Sequence, residues 1–219
     1  KKAKDRGIFI NTIHCGSYEQ GVKDFWKQGA ECSGGDYFNI NSDAEVVHID
    51  TPYDTDIQIY NDSLNSTYYG YGSLGSVGKL SQTNEDGNAS MSAPAVATER
   101  AIVKSKSNVY DNSSWDLLDG AKSGTIKVEE LEENELPEEF KGKTDEEKKN
   151  LIVEKQKERD AYQAKIGQLA VDREAFIAEE LKKRQAEGKK IDDFGTSVNQ
   201  SILEKAETIG FQKETPIEE

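Results

Sequence analysis

The sequence is poor in apolar residues for its length. Only 34% of its 219 residues are hydrophobic, and the mean hydropathy is -0.80. No apolar run is long enough to span a bilayer, so we expect no transmembrane segment in this chain. So little apolar material predicts a compact part joined to a long solvated part, rather than one large core.

Basic residues, histidines and cysteines are also scarce. The chain has 28 Lys and Arg against 42 Asp and Glu, a net charge of -14. An acidic chain repels phosphates, so we expect no nucleic-acid partner. The histidines, His14 and His48, are too few for a structural zinc site with the two cysteines. Cys15 and Cys32 flank a predicted helix of roughly 20 Å, longer than the about 7 Å that a disulfide bridges, so no pairing is expected.

The N-terminal part of the chain shows the order strand, helix, strand. Ile8 to His14 predicts a strand that is covered on both faces, and Ser17 is placed to cap a helix from Tyr18 to Cys32. Tyr37 to Ile40 predicts a second strand, parallel to the first, as in a doubly wound α/β sheet. The helix is expected to bury one face, formed by four apolar residues: Val22, Phe25, Trp26 and Ala30.

The middle of the chain predicts one helix and one linker. Val46 to Ile49 is typical of a short extended piece that pairs with the preceding strand, and residues 57–68 predict a helix. Residues 70–93 are rich in glycine, serine and asparagine, which indicates a flexible linker. Within it, Gly70 to Val77 match the nucleotide-loop pattern of protein kinases. A helix rather than a strand precedes them, so we favour the linker.

Residues 94–219 predict a mostly helical extension. Thr144 is placed to cap a long helix at about 144–187, and a last helix is expected at about 196–209. Five apolar residues lie along one stripe of the long helix: Leu151, Tyr162, Ile166, Leu169 and Phe176. Arg159 and Arg173 interrupt this stripe. We therefore favour an amphipathic helix that folds back on a neighbour over a coiled coil, and an oligomer through the long helix stays open.

Few residues carry the pattern of a chemical site. Asp119 to Glu130 resembles a calcium loop, but Ala121 stands where a ligand must be, so we expect no metal there. No nucleophile, base and orienting group occur together, so we predict no catalytic or cofactor-binding residue and no enzyme. His14, Ser17 and Tyr18 follow the carboxyl end of the first strand, where open α/β sheets bind ligands. They form a predicted partner-facing rim.

Several motifs carry a family resemblance. The segment KDRGIFINTIHCG, the W-K-x-G-A pattern of Trp26 to Ala30 and the segment GGDYFNI resemble the last βαβ unit of a von Willebrand factor type A (VWA) domain. The segment VVHIDTPYD, Val46 to Asp54, is similar to the closing helix region of that domain. NSSWDLLD, ELPEEFKGKT and ILEKAETIGF are similar to a helical extension that some bacterial proteins join to it.

The resemblance implies a fold and a function. It assigns residues 1–69 to the C-terminal part of a doubly wound, Rossmann-like VWA sheet, residues 70–93 to a linker and residues 94–219 to the extension. The family's metal-ion-dependent adhesion site uses a D-x-S-x-S loop, a threonine and a second aspartate, and none of these is matched here. The resemblance therefore implies that Mg²⁺ or another divalent ion would be held upstream of Lys1, and no metal ligand is carried over.

The implied function is non-enzymatic binding of a protein partner, of the adhesion or scaffold type. The implied location is the bacterial cell envelope or the exterior. The alternative is a structural or assembly protein that acts through the long helix of residues 144–187.

Overall fold

A computed structural model describes residues 2–40, 48–188 and 194–212. The fold is mixed α/β and 65% helical, with a two-stranded parallel sheet and one long helix. It divides into two compact units, of which unit 1 comprises Lys1–Val47 with Arg184–Glu219, and unit 2 comprises His48–Lys183. Among the described helices, none combines the length and the apolar character needed to cross a membrane.

Unit 1 is built around the parallel pair. Strand β1 is Thr12–Cys15 and strand β2 is Tyr37–Ile40, and they align in parallel from one end to the other. The predicted order and direction of these strands are confirmed. Strand β1 begins four residues later than predicted because the backbone N–H of Ile10 donates to the Ser33 hydroxyl at 2.9 Å instead of joining a ladder.

The single helix predicted between the strands is wrong. Two short helices replace it, α1 (Tyr18–Lys23) and α2 (Trp26–Glu31), and Phe25 between them has a left-handed backbone with φ of 65°. This turn destroys the helical spacing that placed the apolar residues on one face. Of the four residues predicted to be buried, only Ala30 is buried, and the other three are exposed.

Unit 2 contains the larger core. Helix α5 (Pro94–Lys104) packs against both α3 (Asp54–Ser66) and α4 (Gly75–Ser92). A short helix α6 (Leu117–Ser123) and three single 3₁₀ turns lead to the long helix α7 (Asp145–Ala186). The main apolar cluster is Ile57, Leu64, Tyr68, Ala101, Ile102, Ile166 and Leu169.

The flexible linker predicted at residues 70–93 is wrong, because most of it forms α4. Its glycines permit close packing rather than mobility. A Cβ on Gly78 would lie 2.4 Å from the Trp115 ring, so only glycine lets α4 approach that ring. The kinase-like pattern forms the tight turn into α4, where the backbones of Gly70 and Gly75 are in contact.

The two C-terminal helices are confirmed. Thr144 and Glu147 form a reciprocal cap at the start of α7, with the Glu147 N–H donating to Thr144 Oγ1 at 3.3 Å and the Thr144 N–H donating to Glu147 Oε2 at 2.8 Å. Helix α8 spans Phe194–Thr208, where the last helix is predicted. The extended piece predicted at Val46–Ile49 lies outside the described residues at 46 and 47.

The two arginines that were expected to interrupt the α7 stripe belong to it. Arg159 is 1% exposed, and Arg173 is also buried. Arg159, Ile166 and Arg173 follow one another at intervals of seven, the spacing of a single helix face. This face packs on the rest of unit 2, which confirms the prediction of a helix folded back on a neighbour.

Arg159 is the polar centre of unit 2. Its guanidinium forms a two-pronged ion pair with Asp116, at 2.7 and 3.0 Å, and a further one with Asp119 at 2.9 Å. The Nε atom and the remaining N–H donate to the hydroxyl and the carbonyl of Thr67. All five donors of the guanidinium are therefore satisfied, and its carbon lies 4.2 Å from the centre of the Tyr68 ring.

Candidate functional site

The residues of the predicted rim lie in consecutive elements of unit 1. His14 is in β1, Ser17 caps α1 and Tyr18 is the first residue of α1. The Ser17 hydroxyl accepts the backbone N–H of Gln20 at 3.2 Å, which is the predicted cap. The Gln20 side chain donates to Asp24 and does not return to Ser17, so Ser17 caps α1 through its hydroxyl alone.

Tyr18 and His14 are held by close packing on α1 and β2. The Tyr18 and Tyr37 rings are 5.3 Å apart at their centroids, and the Tyr37 hydroxyl donates to the Tyr18 carbonyl at 3.2 Å. Gly21 makes this packing possible. A Cβ at that position would lie 1.9 Å from the Tyr37 hydroxyl and 2.9 Å from Cγ of His14.

The turn between α1 and α2 adds Trp26 to the rim and leaves its neighbour in the sequence, Phe25, exposed. The Trp26 and His14 rings are 5.8 Å apart, and the Thr12 hydroxyl fixes the turn by donating to the Trp26 carbonyl at 2.9 Å. Trp26 is 44% exposed and Phe25 is 69% exposed. We call His14, Tyr18, Phe25 and Trp26 the aromatic rim.

Lys27 lies beside the aromatic rim with its Nζ atom 4.0 Å from the Glu31 carboxylate, and His14 contributes an unpaired polar atom. Lys27 donates from Nζ to the Tyr18 hydroxyl at 3.2 Å, and this hydrogen bond raises the pKa of the Lys27 ammonium. The His14 Nδ1 atom is buried without a hydrogen-bond partner among the described residues. Cys15 and Cys32 are free and exposed. The rim therefore offers a surface for apolar contact, cation–π contact and hydrogen bonding.

The other patterns of the sequence have structural roles or isolated positions. Asp119, the first residue of the calcium-like pattern, lies inside α6 and binds Arg159. His48 is exposed at the start of unit 2. Within the parts of the chain that the structure describes, no group of three or more His, Cys, Asp or Glu side chains could hold a metal ion.

Phe25 and Trp26 are exposed at the rim, although their helical spacing predicts that they are buried. One signal in the sequence identifies them. Successive residues on a helix point about 100° apart, so two adjacent bulky aromatic residues cannot both occupy the middle of one narrow buried face. Either the helix breaks between them or one ring is exposed. The structure shows both outcomes.

Comparison with known proteins finds no relative. No family model, no curated protein and no solved structure matches the chain. The VWA resemblance therefore rests on the quoted motifs alone. The structure shows the parallel pair that such a unit requires, without a larger doubly wound sheet in the described residues.

Proposed function

We propose that this chain is a non-enzymatic protein-binding module and that its partner contacts the aromatic rim. The observation that carries the proposal is Phe25. Its left-handed backbone and 69% exposed side chain lie next to the half-exposed Trp26 ring. Tryptophan and tyrosine are enriched among residues that dominate protein–protein binding energy.

The backbone at Phe25 adds weight to this proposal. A left-handed conformation costs a residue with a side chain about 1–2 kcal/mol. Glycine would avoid this cost, and Phe25 is the single non-glycine residue with positive φ in the described parts of the chain. Strained backbone that presents an exposed side chain is characteristic of binding sites.

The chemistry of the aromatic rim indicates what its partner presents. Its aromatic rings suit apolar side chains, and the Lys27 ammonium at its border is exposed enough to contact a carboxylate of the partner besides Glu31, which lies 4.0 Å away. We propose a protein segment with apolar side chains and an adjacent acidic residue as the ligand.

The VWA resemblance adds a finer proposal. The carboxyl edge of the parallel sheet would recognise its partner beside a divalent ion held by residues outside this chain. The order of the quoted motifs supports this reading. Binding of the metal would depend on the D-x-S-x-S loop that this sequence does not contain.

Assembly through α7 is the alternative function. The stripe with Arg159 and Ile166 is already buried in unit 2, so a second chain would have to use the opposite face. Val153 and Val171 are exposed apolar residues of α7 that such an interface would cover. Sedimentation of the wild type and a Val153→Ser, Val171→Ser variant tests this alternative, which requires a wild-type oligomer that the double variant loses.

A peptide-display selection tests the rim proposal. Random peptides are selected on the intact wild-type chain and then titrated against Phe25→Ser, Trp26→Ser and a control variant, Met91→Ser, which changes an exposed apolar residue of unit 2. We expect peptides with apolar and acidic residues whose affinity falls at least about tenfold in both rim variants, as for hot-spot residues, and is unchanged in the control. Equal binding to all the variants, or no selected peptide, overturns the proposal.

A further inference from the structure

A polar cavity of about 240 Å³ lies between α3, α4 and α5 of unit 2. It is distinct from the aromatic rim, which belongs to unit 1. Its volume is below the about 300–1,000 Å³ typical of sites for drug-sized ligands, which suits a smaller polar molecule. Its polar lining includes Gln58, Asn61, Asp62, Asn65, Asp86 and Arg100.

A charged cluster holds one wall of this cavity. Asp86 accepts from Arg100 Nε at 2.7 Å, from Lys104 Nζ at 2.5 Å and from Asn65 Nδ2 at 2.7 Å. Burial lowers the pKa of Lys104, and the hydrogen bond and charge of Asp86 act against this effect. Because both Asp86 oxygens are engaged, the cluster fixes the Arg100 side chain and leaves Asp86 little capacity for another ligand.

Three side chains around the cavity have polar atoms without a hydrogen-bond partner among the described residues. Arg100 donates to Asp86 through Nε only, and no described residue accepts from its two terminal nitrogens. Asn61 is 6% exposed, and its Oδ1 atom is buried without a partner in the described structure. The Asp62 carboxylate accepts no hydrogen bond from the described residues, and it is exposed to solvent.

We propose that this cavity binds a small α-amino acid. The Arg100 terminal nitrogens would hold the carboxylate of the ligand, because a guanidinium matches a carboxylate with two parallel hydrogen bonds. Asn61 Oδ1 and the Asp62 carboxylate would accept the ammonium group. Unused groups of both charge signs in one small cavity favour a zwitterion over a sugar or a simple anion.

The unpaired Asn61 oxygen gives the proposal a reason within the fold. A buried acceptor without a hydrogen bond destabilises the protein that contains it. An ammonium donor from the ligand removes that cost, so binding satisfies an atom that folding alone leaves unpaired. The side chain is therefore better suited to the bound state than to the empty one.

Thermal unfolding and calorimetry of the intact chain test the proposal. The probes are the individual α-amino acids at millimolar concentration, with acetate and methylamine as ligands that carry only one of the two charged groups. We expect at least one amino acid to raise the Tm with increasing concentration and to release or absorb heat, and neither half-ligand to do so. No response to any amino acid, or an equal response to acetate, overturns the proposal.

Two variants distinguish a binding site from a structural cavity. Asn61→Leu removes the unpaired oxygen, so we expect a higher Tm without ligand and loss of the ligand-induced shift. Asp62→Asn alters an exposed side chain and should leave folding intact. The affinity for the amino acid should fall at least about tenfold, because one charge-assisted contact is lost. Arg6→Lys in unit 1 is the control with unchanged binding. Wild-type affinity in Asn61→Leu contradicts the proposal.

Discussion

At the scale of single residues, the left-handed backbone of the exposed Phe25 lowers the stability of the chain. Replacing it by glycine removes the left-handed penalty, loses little packing and adds some unfolded-state entropy. We expect Phe25→Gly to stabilise the chain by about 1 kcal/mol while weakening peptides selected on the aromatic rim. Urea unfolding measures the first effect and titration of those peptides the second. A destabilised Phe25→Gly would show that the side chain has a packing role.

Arg159 joins the buried ionic groups of unit 2. Replacing it by methionine leaves the buried Asp116 carboxylate without its counter-charge, and breaking a buried pair in this way costs about 3–5 kcal/mol. We expect Arg159→Met to lower the urea midpoint strongly. The matched control is Lys157→Met on the exposed face of α7, which should change stability by less than about 0.5 kcal/mol. Similar midpoints for both variants would contradict this account.

Asp86 gives a pH dependence. Burial acts to raise its pKa, but the hydrogen bonds and charges of Lys104 and Arg100 outweigh burial and hold it below the usual value. The folded state therefore binds this proton less readily than the unfolded state, and the stabilisation is present above about pH 4 and lost as the pH falls through the lowered pKa. The Asp86 ion pairs therefore contribute to the loss of stability of the chain in acid.

The measurement is unfolding by urea at several pH values. We expect Asp86→Asn to be less stable than the wild type by about 3 kcal/mol at pH 7, because Lys104 keeps a buried charge without its partner. The difference should begin to narrow below about pH 4, where the unfolded wild-type carboxylate binds a proton, and should be lost as the pH falls through the lowered pKa of the folded state. Glu154→Gln, at an exposed position, serves as the control. A difference that is constant with pH would be evidence against the ion pair.

At the scale of elements, α4 is a helix that its own residues do not favour. Glycine, serine and asparagine have low helix propensity, so contacts with α5 and Trp115 must hold it. Two glycines of the same helix separate propensity from packing. A Cβ at Gly78 would collide with the Trp115 ring, whereas a Cβ at Gly87 would meet nothing within 4 Å.

We therefore expect opposite effects of the same substitution. Gly87→Ala should stabilise the chain by about 0.5–1 kcal/mol through helix propensity, and Gly78→Ala should destabilise it by about 1–3 kcal/mol through overpacking. The difference between their urea midpoints is the measured quantity. Two stabilising substitutions would mean that Trp115 does not lie against α4.

At the scale of the whole molecule, unit 2 contains a complete set of core contacts. Its apolar clusters and the ion pairs of Arg159 and Arg173 lie within residues 48–183. We expect a protein consisting of these residues to unfold cooperatively by itself, with a near-ultraviolet spectrum from a fixed Trp115 environment. A fragment with helical content but no cooperative transition would refute the assignment of an independent core.

The aromatic rim was predictable only in part. His14 and Tyr18 follow from two local features, the end of a strand and the helix cap at Ser17. Phe25 and Trp26 are exposed beside them because the backbone is left-handed at Phe25. The helical spacing of the apolar residues predicted instead that both side chains are buried. The polar cavity has no signature in the sequence, since its walls come from three helices.

The sequence by itself determined the elements whose signals lie within a few residues. The cap at Thr144 set the start of α7, and the alternation of strand, helix and strand set the direction of the parallel pair. Tertiary structure alone decided that Arg159 is buried and that residues 75–92 are helical. The reason is distance along the chain. A cap joins residues three apart, whereas Arg159 meets Asp116 from 43 positions away, and such a partner becomes available only when the core forms.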